Sequence, residues 1–113
     1  MDETTKLEIM LQTLGVSNRL KIIEFIGSAE RSVGEIVTYL GLSQPLVSHH
    51  LKALRETQIL VTTRKGAFVY YRLKDTTLLD LLGAFSELTA GIRDEPVEDS
   101  NRMFCCPPMW RKK

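Results

Sequence analysis

Residues 31–55 read RSVGEIVTYLGLSQPLVSHHLKALR, and their spacing decides the fold. Ser32 stands where a helix cap belongs, and Val33, Ile36, Val37 and Leu40 follow at helical intervals until Gly41 closes the segment. Gly41-Leu42-Ser43 leaves room only for a tight turn. Ser43 then caps a second helix whose Pro45 falls in the first turn, where a missing N–H costs little. Two short helices joined so closely have the outline of a helix-turn-helix.

The second of these helices has two sides. Leu46, Val47, Leu51 and Leu54 form its expected buried face, while Gln44, Ser48, Lys52 and Arg55 lie along the other edge at intervals of four, four and three, with His49 beside them. Those side chains suit a DNA major groove: Gln bonds adenine bidentately, Ser and His bond base edges or phosphate, and Lys or Arg pair with guanine or phosphate. Any surface helix shows a polar face; what gives this one weight is the order of parts around it. His50 lies one turn from both Leu46 and Leu54, so packing or a backbone hydrogen bond is expected of it rather than a base contact. Neighbouring helix positions point about 100° apart, which argues against a metal shared by the two histidines.

Working toward the N-terminus, Leu7, Met10, Leu11 and Leu14 predict an amphipathic helix over residues 3–14, stopped by Gly15. Ser17 is the expected N-cap of the next helix, which carries Leu20, Ile22, Ile23 and Phe25 to about Ile26 and is followed by a polar turn from Gly27 to Arg31. In the other direction the period changes to two. Ile59, Val61 and Thr63 alternate with Leu60, Thr62 and Arg64, and Phe68, Tyr70 and Arg72 alternate with Val69, Tyr71 and Leu73. The intervening Lys65-Gly66 predicts a tight hairpin with Arg64 and Lys65 as cations at its tip. A last helix, from about Asp75 to Ile92, bears Leu78, Leu79, Leu81, Leu82, Phe85, Leu88 and Ile92, a stripe too wide for one core contact.

The fold class expected is therefore mainly α with a two-stranded β wing. Residues 1–92 form a winged helix-turn-helix domain, and residues 93–113 a charged tail that carries Cys105 and Cys106. A chain of 113 residues with 43% apolar content suffices for one core and is too short for two. Its net charge of +1 is unevenly spread, because Ser17 to Lys74 holds nine Lys/Arg against four Glu while both flanks of that segment, residues 1–16 and 75–92, are acidic. A basic middle is the footprint of a surface that meets phosphate. No run approaches the ~20 apolar residues of a membrane span, and Met1 to Lys6 lacks the basic and apolar regions of a secretory signal, so a soluble cytoplasmic protein with no membrane partner is expected. An enzyme would need a nucleophile, an acid/base pair or a metal centre in a concave site, and neither a phosphate-binding glycine loop nor a base partnering the cysteines is found, so catalysis is not expected.

Residues 31–55, together with LGVSNRLKII at 14–23 and GAFVYYRL at 66–73, resemble the ArsR/SmtB family of repressors over about residues 5–92. The resemblance implies that Ser48 and His49 touch DNA and that two chains dimerise through their first and last helices. The wide apolar face of the last helix fits, with Leu78, Leu82 and Phe85 expected at the interface of a homodimer bound to a double-stranded operator of two-fold symmetry. Gln58 departs from the pattern, since such sequences usually place Gly after the recognition helix; the helix is therefore expected to end differently here. Two metal sites known in the family lack their ligands. Asp75 is followed by Thr77 where a His would stand, with Leu88 and Gly91 at the later positions, and Ser32 and Gly34 occupy the places of two cysteines.

FCCPPMW at 104–110 then remains as a candidate sensor. Adjacent thiols Cys105 and Cys106 suit soft ions such as As(III), Cd(II), Hg(II) or Cu(I), and equally suit reversible oxidation. The reading is a sequence-specific DNA-binding repressor that needs no cofactor to bind DNA and is released by an inducer. A soft metal or metalloid ion held by the C-terminal thiols is the inducer expected; thiol oxidation or a non-metal ligand is the alternative.

Overall fold

The computed structural model describes residues 1–92. Five helices and three short strands follow in the order α1 (Glu3–Leu14), α2 (Ser17–Ile26), β1 (Arg31–Ser32), α3 (Val33–Leu40), α4 (Gln44–Glu56), β2 (Leu60–Lys65), β3 (Phe68–Leu73) and α5 (Thr77–Leu88), with a 3-10 turn at Thr89–Gly91. Winged helix architecture is thus present as expected, and the chain divides into one compact unit over Met1–Leu81 and a second beginning at Leu82.

The core lies in the first unit. Ile22, Ile23 and Ile26 of α2, Ile36 of α3, and Val47, Leu51 and Leu54 of α4 are buried together with Ile59, Leu60 and Leu73. Local caps fix the helix starts around it. Ser32 Oγ accepts from the Glu35 N–H while the Glu35 carboxylate accepts from the Ser32 N–H, a reciprocal capping box. Gly41 ends α3 in the left-handed region at φ 69°, where a side chain would be strained.

Several expectations are corrected. Ser17 is the first helical residue of α2 and not its cap; Val16 holds the cap position with extended backbone and no side-chain bond. The polar turn before α3 ends in a strand, since Arg31 and Ser32 pair with Tyr71 and Tyr70, so the expected hairpin is the larger part of a three-stranded antiparallel sheet in the order β1-β3-β2. Two residues are too few to display a period. Leu46, expected inside, is 39% exposed, and His50 takes its place in the buried face. At about 100° per residue, Val47, His50, Leu51 and Leu54 share one arc, and Leu46 falls about 90° from its centre.

Gln58 is the one non-glycine residue with positive φ among the described residues, at 64°. The Ile59 N–H donates to the Leu54 carbonyl and the Gln58 N–H to the Arg55 carbonyl, which is the Schellman ending normally built on glycine. α4 therefore ends as it would with glycine. Lys74 Nζ donates to Gln58 Oε1 at 2.6 Å and steadies the side chain that the left-handed backbone carries.

The last helix is shorter than expected. Asp75 Oδ1 accepts from the Thr77 N–H at 2.9 Å, and the helix ends at Leu88. No residue of α5 is buried: Leu78 and Leu82 are half-buried, while Leu81, Phe85 and Leu88 are exposed. In α1, Leu7, Met10 and Leu11 are exposed and only Leu14 of the expected apolar stripe reaches the core.

Candidate nucleic-acid interface

The residues expected to read DNA emerge on one exposed strip. Ser43 Oγ accepts from the Leu46 N–H at 3.4 Å and fixes the start of α4, and the buried Val47, Leu51 and Leu54 fix its rotation. Gln44, Ser48, Lys52 and Arg55 then all lie exposed within an arc of about 80° on the flank of the buried face. His49 is exposed as well, about 100° beyond Ser48, with its ring 5.5 Å from that of His50. Arg55 sits in the last turn, where a cation complements the helix dipole. Such a strip offers amide, hydroxyl, imidazole and cationic groups within one helix width.

His50 belongs to the support of that strip and not to its surface. It is buried, and its Nδ1 accepts a hydrogen bond from Arg19 Nε of α2 at 3.1 Å. The same guanidinium donates through Nη1 to the Thr13 carbonyl at the end of α1. Packing or a backbone hydrogen bond was expected of His50; it is packed inside, and its hydrogen-bond partner is a side chain. Burial, the Arg19 charge and His49 together press the His50 imidazole toward its neutral form, below the ordinary 6.5.

At the wing, Gly66 and Ala67 form a two-residue turn between Lys65 and Phe68, with Gly66 supplying the positive φ of 65°. Arg64 and Lys65 lie on opposite faces of the hairpin and both are exposed. They differ in company. Lys65 Nζ is 2.6 Å from Glu30 Oε1, the single ion pair within 4.0 Å among the described residues, whereas Lys52, Arg55 and Arg64 have no such carboxylate there. Neither Arg19 nor Glu30 was singled out from the sequence, because each acts on a partner more than thirty residues away.

Behind the helix-turn-helix, the Arg31 guanidinium lies 4.4 Å over the Phe25 ring, which stacks on Tyr39 at 4.1 Å and 9°. This stack ties β1 to α2 and α3. Among the described residues no group of three or more His, Cys, Asp or Glu side chains is placed to hold a metal ion. Cys105 and Cys106 lie outside the described residues. No described helix is long and apolar enough to cross a membrane.

The family model described as "Bacterial regulatory protein, arsR family" matches residues 17–60, which span α2 through the start of β2. The chain is similar to the transcriptional repressor SdpR of Bacillus subtilis, 36% identical over 62 residues that cover 55% of this chain and 69% of that one. It is 29% identical to the arsenical resistance operon repressor of Staphylococcus aureus, over 68% of this chain and 74% of that one. Among solved structures it resembles NolR from Sinorhizobium fredii, with a TM-score of 0.70 and 30% identity over 76% of this chain and 86% of that one. It also shares its fold, at a TM-score of 0.72 and 21% identity over 84% of this chain and 89% of the other, with a homodimeric winged helix-turn-helix DNA-binding domain from Mycobacterium bovis.

Proposed function

Since the chain belongs to the arsR family of bacterial regulatory proteins, we propose that it is a transcriptional repressor that binds an operator as a homodimer and leaves it when an inducer binds. Its relatives SdpR and the arsenical resistance operon repressor are repressors by name. The observation that carries the reading is the strip on α4: Gln44, Ser48, Lys52 and Arg55, with His49 beside them, are all exposed on a helix whose start and rotation are fixed by the core. In this reading they enter the major groove, and Arg64 and Lys65 of the wing approach the phosphate backbone.

The dimer is supported by apolar surface that one copy leaves uncovered. Leu81, Phe85 and Leu88 on α5 and Leu7 and Leu11 on α1 are each about half exposed or more, and a second copy set on Leu78, Leu82 and Phe85 would remove such surface from water. For the inducer, the adjacent Cys105 and Cys106 are the chain's only thiols. Soft ions such as As(III), Cd(II) and Hg(II) bind thiolates strongly, and a two-chain assembly brings four sulfurs.

Selecting duplexes from a random library with the full chain, then measuring their affinity in reducing buffer with and without each ion, tests the whole reading. Selection of a two-fold sequence that the ions release supports it. Failure to select any sequence removes the repressor reading; selection without release by the ions, but with release by a mild oxidant, transfers the sensing role to thiol oxidation.

A further inference from the structure

The sheet face that carries Lys65 is built around one carboxylate. Glu30, immediately before β1, has a side chain only 28% exposed although it sits at the surface, and its Oε1 lies 2.6 Å from Lys65 Nζ. Strand alternation puts Thr63, Lys65, Tyr70 and Arg72 on this same face. Arg72 Nε donates to Thr63 Oγ1 at 3.4 Å, and the Lys65 ammonium stands 5.6 Å over the Tyr70 ring. The lysine is thus held from two sides, by a carboxylate and by the electron-rich face of an aromatic ring. Both charges respond as partners do: the Lys65 hydrogen bond lowers the Glu30 carboxyl below its ordinary value, and Glu30 raises the Lys65 ammonium above its own.

Arg64, one residue earlier, has no such partner among the described residues. The two cations at the wing tip are therefore unequal. DNA affinity that ignores sequence grows with each cation that displaces a counterion from phosphate, by a salt slope of about 0.9 per contact. A lysine already neutralised at short range has little to gain from that exchange, because it must first give up its carboxylate.

We propose that Glu30 limits the sequence-independent affinity for DNA by holding Lys65 off the phosphate backbone, so that the wing tip contributes one cation to that binding where its sequence offers two. This rests on the reading above that the wing lies along the phosphates and revises it in one respect: of Arg64 and Lys65, both set near the backbone there, Lys65 makes no phosphate contact while Glu30 holds it. The effect is on affinity and salt dependence and not on discrimination, since a phosphate contact strengthens binding to every sequence alike, the operator included.

The test uses the full chain and a fluorescent duplex of mixed sequence, titrated at graded salt. Glu30→Ala is expected to tighten this binding about threefold at moderate salt and to steepen the salt dependence by about 0.9, the increment of one added phosphate contact. Lys65→Met alone is expected to leave the slope nearly unchanged, and Glu30→Ala made in the Lys65→Met background to have no effect on it. If the Glu30→Ala gain persists without Lys65, it arises from removing a negative charge at a distance, and the proposal is overturned. It is equally overturned if Lys65→Met by itself flattens the slope by about 0.9, since the lysine would then reach phosphate with Glu30 in place. Arg64→Met separates the two levels of the argument: a flattened slope there with no response to Glu30→Ala removes only the role of Glu30, whereas no response in either variant removes the wing from the DNA and the proposal with it.

Discussion

Nε of Arg19 on α2 donates to Nδ1 of His50 on the inner side of α4 at 3.1 Å, and His50 can accept this bond only while its ring is neutral with the proton on Nε2. The helix that carries the exposed strip is thereby tied to α2, and through the Thr13 carbonyl to the end of α1. A proton on Nδ1 would replace the acceptor with a donor and place two cations in contact.

Stability is therefore expected to depend on acidity through this residue. The folded imidazole holds its proton less tightly than an unfolded one, so below about pH 6.5 the unfolded chain binds more protons and stability falls as pH drops. Urea midpoints measured from pH 8 down to pH 5 should decline for the wild type below that value. In His50→Asn, where Oδ1 can accept from Arg19 without titrating, the decline should be smaller; an unchanged decline would assign the acid sensitivity to other groups.

On the exposed strip, Ser48→Ala and His49→Ala should each weaken binding to a selected operator by about 1–3 kcal/mol, the usual worth of a base-edge contact. Their unfolding midpoints should match the wild type, because both side chains are exposed. Undiminished operator affinity in both variants would take α4 out of the groove.

Gln58→Gly should stabilise the fold. A left-handed backbone costs an L-residue about 1–2 kcal/mol, which glycine escapes, while the unfolded chain gains freedom and the Lys74 bond is lost. A net gain of about 0.5–1 kcal/mol by denaturant titration is expected. A loss would mean that the Lys74–Gln58 bond outweighs the backbone strain.

For the dimer, Leu82→Glu should give monomers in sedimentation at micromolar concentration, because it would bury an unpaired charge in the proposed interface. A wild-type chain that sediments as a monomer would dismiss the two-fold operator at once.

Replacing Cys105 and Cys106 together by Ser should leave operator affinity unchanged and abolish release by As(III), Cd(II) and Hg(II). A preference of about 1.4 kcal/mol for the DNA-free form is all an ion needs to shift affinity tenfold. Release that survives in the double variant would send the search for the sensor elsewhere in the chain.

What the sequence discloses and what it hides divide along sequence separation. The starts of α3 and α4 are legible because Ser32, Glu35 and Ser43 act on amides three residues away. Gln44, Ser48, Lys52 and Arg55 are legible as one exposed strip because helical period alone groups them. Leu46 is misjudged because hydrophobicity says nothing of helix rotation, which the core sets and which admits His50 instead. The Arg19–His50 and Glu30–Lys65 contacts join residues 31 and 35 positions apart, and no local pattern announces either. Gln58 shows that a position's backbone demand can be met by an unusual residue when a distant side chain, here Lys74, supports it.

Ser32 pairs with Tyr70 in the sheet and also caps α3, so a single residue is at once a rung of the wing and the first anchor of the helix pair that follows. For an engineer building chimeric regulators, this removes the obvious cut point. A graft limited to residues 33–56 would keep both helices yet sever the cap from the strand that orients it. A graft taken from Glu30 through Lys74 carries rung, cap, partner strand and the Glu30–Lys65 and Gln58–Lys74 contacts together, and such a block should transplant intact onto another member's scaffold provided that scaffold has an arginine at position 19 to meet His50.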